Sequence, residues 1–291
     1  MAWGNLLKGS PANQVVSPTT QLVEQGKPTR FFAQVEADDR HGVFASTGAD
    51  GELIFVRLNA DGHVTSLPVG GPLMGPAVPF GSQWLVAFQH GAIGLVDSDR
   101  TGFSPEAFLA PSPLVGSLQW ARPVVTDTHR AIFYDGDRAL ISVRHASGLG
   151  KLESDAAVTL ETKLGGALVR IGSRIWSVNN KNQLVAFDMV SLELAGASDL
   201  PSQYEWGPRV LGAQGFVTTD DGTLTCFDEG KSPRWQTRFE YGPVTGACQL
   251  NSDQIVLASR RGLLWRVHVE TGEQVGNTLR LKQPLASGPY A

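Results

Sequence analysis

The sequence contains few of the residues that mark metal, redox or disulfide chemistry. Only two cysteines occur in 291 residues, Cys226 and Cys248, and their spacing matches no zinc or redox motif. They could form one disulfide only if strands bring them close together. Two buried, small apolar side chains are the simpler interpretation of the pair.

Long apolar runs and basic clusters are also missing. No run approaches the ~18 to 20 residues needed to span a bilayer, and residues 1 to 10 lack a basic stretch followed by an apolar one. The net charge is −4, and Lys and Arg are scattered along the chain, which argues against a nucleic-acid partner. We expect a soluble chain with no signal peptide and no membrane insertion. Its compartment stays open, and it could be a portion of a longer protein.

Helical periodicity is absent as well. No segment keeps an apolar period of 3.6 residues with helix caps over ten or more residues, which excludes a helical solenoid. In its place the chain is rich in turn residues, with 33 glycines and 17 prolines, while only 18% of its residues are charged. This composition is typical of many short strands joined by tight turns.

A turn followed by a short apolar strand recurs six times. The third residue of each copy is Leu or Ile, and these positions are Leu53, Ile93, Leu140, Leu184, Leu224 and Leu264. They are separated by 40, 47, 44, 40 and 40 residues. A period of this length indicates a repeat architecture, either a solenoid or a propeller.

Each repeat contains the parts of a four-stranded sheet. A strand rich in aromatic and β-branched residues precedes each turn, and the turns carry Asp-Gly, His-Gly or Arg-Gly pairs typical of hairpins. Further upstream, a Pro or Gly followed by small apolar residues suits an innermost strand, and a polar fourth strand follows. We therefore predict an all-β propeller of four-stranded antiparallel blades, a single domain over residues 1–291 with about seven blades.

The two ends of the chain suggest a composite or incomplete seventh blade. Residues 283–288, Gln-Pro-Leu-Ala-Ser-Gly, have the form of another innermost strand. Gly4-Asn-Leu-Leu has the form of the turn and strand, with Leu6 lying 47 residues before Leu53. We expect residues 1–27 to supply outer strands of this blade, because closure of the ring would leave no open sheet edge.

The order of these elements resembles the PQQ-like (quinoprotein-type) repeat family. The best single match begins at Gly207-Pro-Arg-Val and runs through Gly222-Thr-Leu-Thr-Cys-Phe-Asp to Trp235. The resemblance extends over about residues 28 to 291 and includes non-catalytic propellers similar to the outer-membrane-assembly lipoprotein. In that family a Trp near the end of the repeat docks onto the neighbouring blade. The resemblance therefore implies that Trp235 is such a docking residue.

The catalytic members of this family bind PQQ, and the sequence departs from their pattern. Their cofactor site uses a disulfide between adjacent cysteines, a calcium ion and a stacking Trp, whereas Cys226 and Cys248 are 22 residues apart. No Glu, Asn and Asp set can be assigned to calcium. We therefore expect no quinone, no calcium and no other cofactor or metal.

No catalytic residues can be assigned from the remaining polar residues. Four prominent acidic residues lie in hairpin turns, where Asp hydrogen-bonds its own backbone: Asp50, Asp135, Asp220 and Asp221. The six histidines have no metal-like spacing to one another or to a carboxylate.

Aromatic residues with neighbouring arginines mark three entries into innermost strands. The candidate binding residues are Trp120, Arg122, Trp206, Arg209 and Tyr241. Equivalent positions in successive repeats should lie on one rim of the ring, and aromatic and Arg side chains are enriched in binding hot spots. The alternative is that these aromatic residues pack between blades.

Two functional classes follow. The first is a non-catalytic interaction or scaffold module whose partner is another protein, or another domain of the same full-length protein. The second is an enzyme or small-ligand sensor that uses the mouth of the central channel. Converging titratable groups or a metal at the mouth would favour the second class, and a broad apolar rim patch would favour the first.

Overall fold

The computed structural model describes most of the chain from Thr29 onwards. The described residues are 29–35, 41–47, 52–58, 64–68, 78–81, 83–88, 92–97, 108–109, 120–146, 151–230, 232–285 and 288–289. Every regular element in these ranges is a β-strand, and none of them contains a helix able to span a membrane. The backbone forms two compact units, Met1–Thr159 and Leu160–Ala291.

The first unit contains three four-stranded antiparallel sheets, blades 1 to 3. In each sheet every strand pairs with its neighbours in the sequence, which is the meander that the repeat predicts. Blade 1 comprises β1 (Thr29–Val35), β2 (His41–Thr47), β3 (Glu52–Leu58) and β4 (Val64–Pro68); blade 2 comprises β5 (Val78–Phe80), β6 (Gln83–Ala87), β7 (Ala92–Asp97) and β8 (Phe108–Leu109); blade 3 comprises β9 (Val124–Asp127), β10 (Arg130–Tyr134), β11 (Ala139–Ala146) and β12 (Lys151–Thr159).

The second unit contains three more sheets of the same order, blades 4 to 6. Blade 4 comprises β13 (Val169–Ile171), β14 (Arg174–Val178), β15 (Gln183–Asp188) and β16 (Leu194–Asp199); blade 5 comprises β17 (Tyr204–Leu211), β18 (Gln214–Thr219), β19 (Thr223–Phe227) and β20 (Trp235–Arg238); blade 6 comprises β21 (Val244–Gln249), β22 (Gln254–Ser259), β23 (Leu263–His268) and β24 (Leu279–Arg280). The six blades predicted from the repeat are therefore confirmed as four-stranded sheets.

The repeated Leu or Ile occupies the second position of the third strand in every blade. Ile93, Leu140, Leu184 and Leu224 are buried, as predicted, whereas the side chain of Leu53 lies outside the described residues. Leu264 is only half-buried, so the prediction of burial is wrong at this position. Leu184 and Leu224 are each covered by the following blade, and in the second unit no described sheet follows blade 6.

The hydrophobic core consists of layers between successive blades. One cluster joins blades 2 and 3, a second joins blades 4 and 5, and a third joins blades 5 and 6. The largest fully buried side chains are aromatic, among them Trp176, Phe216 and Trp265. Burying each such side chain stabilises the fold by about 1.5 to 3 kcal/mol.

Both cysteines are free thiols. Cys226 is buried in the layer between blades 5 and 6, and burial raises the pKa of its thiol to about 12. Cys248 lies in β21 and is half-buried, and burial raises its pKa as well. The interpretation of two small apolar side chains is confirmed fully for Cys226 and in part for Cys248.

Trp235 docks onto the neighbouring blade, as the resemblance implies. Its indole Nε1 donates a hydrogen bond to the carbonyl oxygen of Val269 in blade 6, at 2.9 Å. The ring lies against Gly272, where an added Cβ would come within 2.5 Å of it. Gly272 also has a φ of +73°, a conformation that residues with a side chain rarely adopt.

Gly288, near the end of the described chain, contacts the innermost strand of blade 6. The carbonyl oxygen of Gly288 would be 2.2 Å from a Cβ added to Gly246 in β21, so the two backbones are in close contact. The hydroxyl of Thr245 donates to the same carbonyl at 3.4 Å. Residues 1–27, the expected outer strands of a seventh blade, lie outside the described residues, and the single domain over 1–291 stays a prediction.

We predict that Gly272→Ala destabilises the protein far more than Gly276→Ala. Both glycines have a positive φ, which costs a side chain about 1 to 2 kcal/mol. At Gly276 the new Cβ meets only the flexible end of Arg266, whereas at Gly272 it meets the packed indole. Overpacking should raise the total loss for Gly272→Ala to about 2 to 5 kcal/mol in urea unfolding. Equal losses for the two variants would show that the Trp235 contact is unimportant.

Candidate functional site

Trp120 is a core residue of the first unit. Its side chain is 4% exposed, and its ring meets Phe133 edge-to-face with centroids 5.7 Å apart. The next residue, Ala121, donates its backbone N–H to the carbonyl oxygen of Tyr134. The structure therefore gives Trp120 the packing role that was the alternative to binding, while Arg122, two residues later, is exposed.

Trp206 lies at the entry of β17, on an irregular part of the strand. The pairing of β17 with β18 shifts register on both sides of Trp206. Gly207 follows with a φ of +100°, and an added Cβ there would lie 2.6 Å from the Phe216 carbonyl oxygen. The Tyr204 hydroxyl donates to the Gly207 carbonyl oxygen and holds the irregular segment in place. Trp206 is half-buried and packs against the layer between blades 5 and 6.

Tyr241 packs against the same layer as Trp206. Its ring centroid lies 4.9 Å from that of Trp265, and its hydroxyl donates to the side-chain oxygen of Gln274 in blade 6. Arg209, on the same strand as Trp206, is half-buried, and its positive charge opposes the rise in the pKa of Cys248 on the next innermost strand. The structure thus brings Trp206 and Tyr241 to one inter-blade layer.

Trp120 and Arg122 belong to the first unit, and the other three candidate residues belong to the second. The single arc of all five residues therefore stays a prediction. We call the three candidate residues of the second unit, Trp206, Arg209 and Tyr241, the entry surface, and each of them is at least partly exposed.

The sequence reasoning missed Glu205, which lies between Tyr204 and Trp206. Burial raises the pKa of its carboxyl group, Arg260 opposes the rise and Asp220 adds to it. Its Oε2 atom is buried and has no hydrogen-bond partner among the described residues. An acidic residue between two aromatic residues at a strand entry was the signal available in the sequence.

A cleft of about 520 Å³ lies at the opposite end of the strands in blades 4 and 5. It is lined by the turns that follow the innermost strands, around Gly172 and Gly212, and by the turn that carries Asp228 and Glu229. A carboxylate in such a cleft could bind a cation. Whether Asp228 and Glu229 are available for this depends on the hydrogen bonds and ion pairs that they already make.

The acidic groups in these turns already connect neighbouring blades. Glu229 of blade 5 accepts hydrogen bonds from the backbone N–H and the hydroxyl of Ser173 in blade 4, at 2.8 and 2.6 Å. These hydrogen bonds lower the pKa of Glu229. Glu270 of blade 6 accepts in the same way from Gln214 of blade 5 and pairs with Arg234. Of the two acidic groups of the cleft, Glu229 therefore serves an inter-blade contact, whereas Asp228 accepts from the backbone N–H of Gly230 and pairs with Arg234 within blade 5.

Metal ligands do not cluster in the part of the chain that the structure describes. Within those ranges no group of three or more His, Cys, Asp or Glu side chains is placed to hold an ion. The expected absence of quinone and calcium stays a prediction.

Comparisons with known proteins support the propeller. No family model matches the chain, and no curated protein matches it. BamB from Moraxella catarrhalis superposes with a TM-score of 0.62 at 14% identity, covering 88% of this chain and 78% of that chain. KlHsv2 with loop 6CD replaced by a Gly-Ser linker gives 0.59 at 10% identity, covering 84% and 80%. At these identities the likeness concerns the fold, and the described sheets are blades of a β-propeller of the BamB kind.

We predict that Trp120→Ala costs about 3 to 5 kcal/mol of unfolding free energy, because it empties a buried aromatic site. Arg122→Ala is the matched control, since this neighbouring side chain is exposed. The control should stay within about 0.5 kcal/mol of the wild type in the same denaturant titration. A stable Trp120→Ala variant would contradict the packing role and return Trp120 to the binding candidates.

We predict that Glu205→Gln raises the melting temperature at pH 7 and that this gain shrinks towards pH 4. The pKa of Glu205 is raised by burial in the folded state, so its contribution to stability is present at low pH. That contribution is lost as the pH rises through the folded-state pKa, because the partly buried carboxyl group then becomes charged. Glutamine does not ionise, so the variant keeps its stability at pH 7. Melting curves from pH 4 to 8 measure the effect. The exposed Glu240→Gln is the control, and equal pH profiles for the two variants would contradict the prediction.

Proposed function

We propose that this chain is a non-catalytic β-propeller that binds another protein, or another domain of the same full-length protein, through the entry surface. The observation that carries the proposal is the half-buried state of Trp206 and Tyr241 on one inter-blade layer. A half-buried aromatic ring is held rigidly by the core and still offers area to a partner. Its ordering on binding therefore costs little conformational entropy.

The entry surface has the residue types of a binding hot spot. Trp, Tyr and Arg are the side chains most enriched among residues that dominate binding energy. Arg209 adds a guanidinium group that recognises carboxylates or aromatic faces in a partner. Successive blades repeat the same position, which is how propellers build extended interaction surfaces.

The likeness to BamB supports the same proposal at a coarse level. BamB is an outer-membrane-assembly lipoprotein with PQQ-like repeats. The shared fold makes a protein partner the natural expectation for this chain, and the entry surface is the place where we expect it to bind.

A second candidate function is a small-ligand sensor or enzyme at the channel mouth. One observation favours it: Glu205, Asp220 and Arg260 interact electrostatically near an innermost-strand entry, and the pKa of Glu205 is raised. Perturbed titratable groups of this kind are enriched at functional sites. Structural networks also perturb pKa values, so the protein-binding proposal stands first.

The test compares proteins captured by the immobilised chain and by its variants. Trp206→Ala and Arg209→Ala should lower capture of a specific partner at least tenfold, because hot-spot truncation costs about 1.4 kcal/mol or more. Arg280→Ala, an exposed arginine on the outer strand β24, is the matched control and should capture as the wild type does. Melting temperatures report whether each variant is folded.

Two outcomes would contradict the proposal. Equal capture by the folded Arg209→Ala variant and by the control would remove the entry surface as the contact. Loss of binding to a small molecule on Glu205→Gln, with protein capture unchanged, would favour the channel-mouth function.

A further inference from the structure

Blade 4 presents apolar side chains to solvent beside its outermost strand. The side chains of Val190 and Leu194 are each 62% exposed. Among the residues whose burial the structure describes, they are the two large apolar residues that are mostly open to solvent. Val190 lies in the turn after β15, and Leu194 is the first residue of β16. Two exposed aliphatic side chains close together in the sequence are a departure from the rest of the described surface.

The turn itself does not require apolar residues at these positions. The turns after the third strands of blades 4 and 6 have the same backbone hydrogen bond. In blade 4 the N–H of Leu192 donates to the carbonyl oxygen of Asp188, and in blade 6 the N–H of Gly272 donates to that of His268. The positions of Val190 and Leu194 are taken there by Glu270 and Gln274, which bind Arg234 and Tyr241. The apolar pair therefore belongs to blade 4 and not to the turn type.

The backbone of β16 has an open edge. β16 ends the sheet order β13-β14-β15-β16 and pairs only with β15 among the described strands. After an irregularity at its start, its register is regular from Gly196, opposite Ala186, to Asp199, opposite Gln183. In such an antiparallel edge, alternate residues point their N–H and C=O groups away from the sheet. These groups can pair with an added strand.

The other outer strands are shorter than β16, end in proline, or carry more charged residues than β16 does. Proteins protect edges with short strands, with proline or with charged residues. β4 ends in Pro68, β12 carries Lys151, Glu153 and Asp155, β20 ends in Arg238, and β8 and β24 have two residues each. The interior of β16, Ala195 to Ser198, has no charge and no proline.

Acidic groups surround this edge. Asp188 precedes it, Glu193 adjoins its first residue and Asp199 is its last residue, and Arg174 interacts electrostatically with Asp188. Backbone hydrogen bonds from Ser191 and Val190 lower the pKa of Asp188, so this carboxylate stays ionised at neutral pH. The carboxylates of Asp188, Glu193 and Asp199 give this edge negative charge, which is complementary to a basic segment.

We propose that the outer edge of β16 binds an extended, basic segment of a partner protein as a fifth strand of blade 4. Backbone hydrogen bonds to Gly196–Asp199 provide the pairing, as in strand addition to other exposed sheet edges. An apolar side chain of the segment contacts Val190 and Leu194, and flanking Lys or Arg side chains face the carboxylates. The surface goes beyond the proposed function, because it uses the outer strand of one blade instead of the entry surface.

The first test uses a fluorescein-labelled peptide, Lys-Val-Thr-Val-Arg-Val-Lys, and the full chain in a fluorescence-anisotropy titration. We expect saturable binding. The same peptide with N-methyl groups on alternate backbone nitrogens should bind at least tenfold more weakly, because it cannot complete the ladder. A peptide with Glu at each basic position should also bind at least tenfold more weakly. Equal binding of the N-methylated and unmodified peptides would overturn the proposal.

The second test places a charge on the edge. Leu194→Lys should weaken peptide binding at least tenfold, since lysine on an edge strand disfavours pairing with a basic segment. Gln236→Lys, an exposed position on the outer strand β20, makes the same change in charge on blade 5 and should bind the peptide as the wild type does. Both side chains are exposed, so melting temperatures should match that of the wild type. Equal weakening by both variants would overturn the site.

Two further measurements separate this site from the alternatives. Arg209→Ala should leave peptide binding unchanged, which separates failure at the β16 edge from failure at the entry surface. Light scattering over a range of concentrations tests a second copy of the chain as the occupant. A dimer that Leu194→Lys abolishes would overturn the basic partner segment and assign the edge to self-association.

Discussion

Packing of each blade against the next is the constraint on which the structure depends. A four-stranded sheet has two faces, and a single blade cannot bury both, so the apolar side chains of the third strand require a neighbouring sheet. Leu184 and Leu224 show the consequence, because each is buried by the following blade. Leu264 occupies the same position in blade 6 and is half-buried. Stability in such arrays is a sum over neighbouring repeats.

Polar contacts between turns set how the blades meet. Ser173 and Glu229 join blades 4 and 5, and Gln214 and Glu270 join blades 5 and 6, in each case across 56 residues of sequence. Such exposed contacts contribute little energy individually, so the burial of the apolar layers carries the stability. Their effect is on geometry, and it accounts for the carboxylate of Glu229 in the cleft between blades 4 and 5. Trp235 combines both roles, because its ring packs and its Nε1 bonds to the next blade.

The candidate binding surfaces arise where this packing is incomplete. Trp206 and Tyr241 are half-buried because they lie at the ends of an inter-blade layer, where the core gives way to solvent. Val190 and Leu194 are exposed beside the edge of β16, at positions whose counterparts in blade 6, Glu270 and Gln274, make inter-blade contacts. A partner at either place would extend a layer or a sheet that the propeller already has. Binding would therefore require little rearrangement of the chain.

The sequence by itself determined the all-β class, the blade as the repeating unit and the burial of Ile93, Leu140, Leu184 and Leu224, because strand period and turn chemistry are local properties. The docking of Trp235 was implied by the resemblance to the PQQ-like repeat family, and its contacts with blade 6 agree with it. The tertiary structure alone decided that Trp120 is buried while Trp206 is half-buried, because the difference depends on the neighbouring blade and not on the shared entry motif. It alone revealed the buried carboxyl of Glu205 and the open edge of β16. Burial and edge exposure depend on which strands become neighbours, which a local pattern does not contain.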